Sequence, residues 1–119
     1  MKFFQGVKSE RTKNEIAIKK ATQGIFSEKA TLLQMERELK LHQNSQLIFA
    51  KQSILARNAA SKTTDSNVKA ELIRIAKEQE GEDITEGHII VELKARIAEA
   101  AKELEYDEKS LKWAGLKNT

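Results

Sequence analysis

The sequence predicts an all-α fold: a helical bundle of four main helices plus a short C-terminal helix, with one long central helix over about 27–60. Three observations point there. No proline occurs in 119 residues, and proline is the strongest breaker of a helix interior. Apolar residues recur at spacings of three and four rather than alternating, which is the mark of a helix face and not of a strand. Five glycines and a polar cluster at 61–67 fall between these stretches and read as punctuation.

The elements follow in order. Thr12-Lys13-Asn14-Glu15 fits a capping box opening a first helix over about 12–23, with Ile18, Ala21 and Ile25 on one stripe. Gly24 is placed to end or kink it. Ser27 is a good N-cap for the second helix, with Glu28 near the positive end of its dipole. Leu32, Met35, Leu39, His42, Gln46 and Phe49 then follow a 3-4 spacing, while Leu47, Ala50 and Ile54 start an adjacent track. No glycine or proline stands near Asn44, so one helix over 27–60 is favoured over a break there. Asp65 or Ser66 caps a third helix over about 67–79, with Val68, Leu72, Ile75 and Ala76 as its buried stripe. Residues 81–87 read as a turn. Thr85 then caps a fourth helix over about 86–105, where Ile90, Leu93, Ile97, Ala100 and Leu104 form the most regular heptad stretch of the chain. A short last helix starts at Asp107 and stops at Gly115. The whole reads as a single helical domain over 1–119, frayed at 1–8 and 116–119.

Composition excludes several function classes. There is no cysteine, so disulfide scaffolds, thiolate metal sites and cysteine nucleophiles are absent. No run of about 18 apolar residues suggests a membrane span, and the first residues lack the pattern of a secretory signal. A cytoplasmic protein that binds no membrane is the expectation. No phosphate-binding glycine loop, nucleophile elbow or zincin motif occurs, so no catalytic residue and no cofactor are expected. Glu38 with His42, and His88 with Glu92, stand four residues apart and share helix faces. Neither histidine has the glutamate three positions before it that helical di-iron sites use, and no metal site is expected.

Charge is unevenly distributed. Residues 1–60 carry 11 Lys/Arg and 5 Asp/Glu; residues 61–119 carry 10 and 13. The balance is therefore +6 against −3, which fits attraction between the halves or a basic surface for an acidic partner. Lys8, Arg11, Lys13, Lys19 and Lys20 gather round the first helix and are the candidate nucleic-acid contacts. That helix lacks the interleaved aromatics that stack single strands. On the long helix, Leu33, Leu41, Leu47, Ile48, Phe49 and Leu55 spread round the circumference, more than one intrachain seam needs. Apolar surface of that kind marks a partner site. The expected function is a small protein–protein interaction module of adaptor, inhibitor or scaffold type, binding a protein partner or itself as a homodimer or larger assembly. The alternative is a nucleic-acid-binding accessory protein using the basic first helix.

Overall fold

A computed structural model describes residues 2–117 of the chain, with side-chain surroundings for 12–115. It contains two helices, α1 (Lys2–Lys62) and α2 (Ser66–Lys117), which form a helical hairpin. This corrects the expectation of four main helices and a fifth. The first two expected helices are one helix, α1, and the last three are one helix, α2. The long helix expected over 27–60 is a continuous part of α1. The expected frayed ends lie largely outside the described side chains.

Glycine explains why the breaks do not occur. One glycine inside a helix costs only about 1 kcal/mol relative to alanine, which a run of packed seam residues outweighs. No described residue has a positive φ, so Gly24, Gly81 and Gly87 all take ordinary helical geometry. Thr85 caps nothing; its hydroxyl donates to the Gly81 carbonyl at 3.0 Å, one turn back in the same helix. Thr12 and Ser27 likewise lie inside α1.

The one real break is 63–65. Thr63 N still donates to Ala59 O at 3.2 Å, closing the last turn of α1. Asp65 then caps α2: its Oδ1 accepts from the amides of Asn67 at 2.9 Å and Val68 at 3.3 Å. Those amides have no partner inside the helix, and a side-chain acceptor there is worth about 1 kcal/mol.

The chain divides into two compact units, 1–34 with 97–119 and 35–96. In the second unit a series of shielded positions runs 35, 39, 42, 46, 49, 53, 56 and 60 on α1, and 72, 76, 79, 83, 86, 90 and 93 on α2, with further half-buried positions beside it. Both series keep the 3-4 spacing of a coiled-coil seam. Its apolar centre is small: Ala56, Ala60, Ala76, Ile90 and Leu93 are buried, beside buried Ser53. Among the described residues no large side chain is fully buried. In the first unit the same spacing is seen at 18, 25, 28 and 32 of α1 and at 97, 100, 104, 107, 111 and 114 of α2.

Candidate functional site

Seam positions of the second unit carry several polar residues. His42 Nδ1 donates to Glu86 Oε2 at 2.5 Å, with the glutamate side chain only 15% exposed. Gln46 Nε2 reaches the Asp83 carbonyl at 3.4 Å, and Gly87 leaves room for it: a Cβ there would lie 3.1 Å from that nitrogen. Beside the seam, at exposed flanking positions, Arg57 grips Glu80 with two hydrogen bonds, Nε to Oε1 at 2.5 Å and an Nη to Oε2 at 2.9 Å. That pair raises the Arg57 pKa and lowers that of Glu80, in both cases first through the hydrogen bonds. Polar pairs in a coiled-coil seam fix register, because a slip leaves them unpaired. These groups hold the hairpin in one alignment. Glu38, His88 and Glu92 are exposed, and among the described residues no group of three or more His, Cys, Asp or Glu could hold a metal ion.

The surface of α1 turned away from this seam is different. A helix advances about 100° per residue. With the seam series 39, 42, 46, 49 taken as one side, the opposite side between 37 and 62 is formed by three rows. Leu47 and Ile54 continue one row after Lys40. Leu41, Ile48 and Leu55 form another, ending at Lys62. Arg37, Asn44, Lys51 and Asn58 run between them. The five large apolar residues are 54–69% exposed. The face carries four cations and no carboxylate, a balance of +4. It is a solvated, basic, strongly apolar surface on a rigid element.

The sequence-derived partner residues divide on this geometry. Leu41, Leu47, Ile48 and Leu55 lie together on the outer face of the second unit. Phe49 belongs to the seam and is half-buried. Leu33 is 49% exposed and lies in the first unit. Ile54 is a member that the partner set lacks, although its i+7 spacing from Leu47 is plain in the sequence. Of the candidate nucleic-acid contacts, Lys13, Lys19 and Lys20 are exposed on α1 in the first unit. Lys8 and Arg11 fall outside the described side chains.

The first unit also holds a groove of about 440 Å³ along small residues, Ala17, Ala21, Gly24 and Ala114, with Ile18, Ile25 and Leu111. Glu28 and Asp107 stand in its wall. Their proximity raises the Glu28 pKa, chiefly through a side-chain hydrogen bond to Asp107 and next through burial. One Glu28 oxygen is shielded from solvent and has no hydrogen-bond partner. The signal for this groove is the spacing of Ala17, Ala21 and Gly24, which puts three small residues on one side of the helix.

Among the described residues no helix is long and apolar enough to cross a membrane. Comparison with protein-family models, curated proteins and solved structures finds no match.

Proposed function

We propose that this chain is a protein-binding helical module whose docking surface is the outer face of α1 between Arg37 and Lys62. One observation carries the reading: Leu41, Leu47, Ile48, Ile54 and Leu55 are all more than half exposed on one side of one helix. Single exposed apolar residues need no explanation, but a contiguous set rimmed by polar groups marks an interaction site. The central polar row of Asn44 and Lys51 favours a protein over a lipid surface. Hydrocarbon offers those groups no partner, whereas a protein surface can. The polar seam pairs support the same reading, because a docking helix must be presented in a fixed orientation.

The test is Leu47→Glu combined with Ile54→Glu. The variant keeps its helical circular dichroism and, at high dilution, its thermal midpoint, since both residues are solvated in the isolated chain. Its capture of binding partners in pull-downs from the source cells falls at least tenfold. A variant that unfolds would place the two residues in the core and end the proposal. So would one that binds like the wild type.

A further inference from the structure

We infer that the occupant of this face is a second copy of the chain, packed antiparallel about a two-fold axis at Ile48, so that two hairpins join through their α1 helices. The inference rests on the protein-binding reading above and names the partner. A two-fold interface must be self-complementary: if residue i meets residue j, then j meets i. The outer face of α1 has this property in its residue order. With Ile48 on the axis, Ile48 meets Ile48 of the second copy. Leu41, seven residues before it, meets Leu55, seven residues after it. Leu47 falls beside its own counterpart.

The polar row follows to within one residue. Lys51 of one copy falls level with residue 45 of the other, next to Asn44, and Asn58 falls level with residue 38, next to Arg37. Each cation thus falls beside an amide that offers a carbonyl acceptor. Parallel packing in register would set Lys51 against Lys51 and Arg37 against Arg37, and like charges in contact repel strongly away from bulk water. Charge therefore selects the antiparallel arrangement.

The area is of the right order. Five Leu and Ile side chains at roughly 100 Å² each supply on the order of 500 Å² of apolar surface. A stable interface needs about 800 Å² per partner, polar rim included. The rim here is Arg37, Lys40, Asn58 and Lys62.

The absence of cysteine makes a clean test possible, because introduced thiols have no native competitor. Three single variants of the full chain are made: Ile48→Cys, Leu41→Cys and Leu55→Cys. Under mild oxidation Ile48→Cys links to itself. An equimolar mixture of Leu41→Cys and Leu55→Cys links across, and Leu55→Cys alone does not. Light scattering gives the wild type a two-chain mass, halved by Leu47→Glu with Ile54→Glu. Self-linking of Leu55→Cys as efficient as that of Ile48→Cys would mean parallel packing and overturn the proposal. A one-chain wild-type mass overturns it too. If pull-downs then still show partner capture that the double glutamate variant loses, the protein-binding reading stands and only the second copy is wrong. If they show none, both fall.

Discussion

Glu28 and Asp107 set two carboxyl groups against one another across the helices of the first unit. The Glu28 pKa rises above its ordinary 4.5, first through a side-chain hydrogen bond to Asp107, then through burial, then through the charges of Asp107 and Glu103. The folded chain therefore holds the Glu28 proton more tightly than the unfolded chain. The resulting stabilisation is complete below pH 4.5 and is lost as pH rises through the folded value. In the second unit the sign is opposite. Glu80 and Glu71 are lowered from 4.5, first by their hydrogen bonds to Arg57 and Arg74. Their contribution is present above 4.5 and is lost as pH falls through the lowered values. Glu28→Gln keeps a donor for Asp107 and removes the negative charge. The variant is expected to have a higher thermal midpoint than the wild type at neutral pH, with the gap closing towards pH 4. A gap of constant size across that range would disprove the raised Glu28 pKa.

At the scale of the element, the seam outweighs local punctuation. Gly81 lies inside α2, and a Cβ there meets nothing within 4 Å. Gly81→Ala should raise stability by about 0.5–1 kcal/mol in denaturant unfolding, the usual gain for relieving an exposed helix interior of glycine. Gly87→Ala should gain less, because its Cβ would press on the Gln46 amide and disturb its bond to Asp83. A destabilising Gly81→Ala would mean that the helix does not run through 81.

The same residues show what the sequence made readable. Helical character and the 3-4 spacing of Leu32 to Phe49 and of Ile90 to Leu104 were plain, and both series fall on shielded positions. The cap at Asp65 was readable as well. The continuity of α2 was hidden because its seam passes through Gln79, Asp83 and Glu86, which look like loop residues until His42 and Gln46 stand opposite. Between them the one large apolar residue, Ile84, points outward and is 63% exposed. Phe49 and Ile48 are neighbours in sequence, about 100° apart round α1, yet one is half-buried in the seam and the other exposed, so composition alone could not separate seam from surface. The Glu28–Asp107 contact joins residues far apart in the chain, and nothing local announces it.

At the scale of the molecule, two helices give little interior. The chain exposes 9692 Å², against about 6,500 Å² expected for a folded monomer of 13.5 kDa. The charge asymmetry is put to use between the helices. Lys29 with Glu108 in the first unit, and His42 with Glu86 and Arg57 with Glu80 in the second, each set the basic partner on α1 and the carboxylate on α2. With so thin a core, the proposed pairing of two chains would stabilise the fold by mass action. The thermal midpoint should therefore rise with protein concentration, and Leu47→Glu with Ile54→Glu should abolish that dependence without lowering the midpoint at high dilution. A wild-type midpoint that stays level over a hundredfold range of concentration would contradict association.

The connection at 63–65 is short and α2 is long, and this has a consequence for synthesis. α1 is synthesised complete before any of its seam partner exists. At about 5–20 residues per second, the 52 residues of α2 take roughly 3–10 s to follow. For that interval the nascent α1 has neither its seam nor its outer face covered by its own chain. Chains growing side by side on one messenger RNA hold such helices close together, so pairing between neighbours competes with closure of the hairpin. Closure of the hairpin would bring His42 and Arg57 to Glu86 and Glu80, the partners that α2 carries.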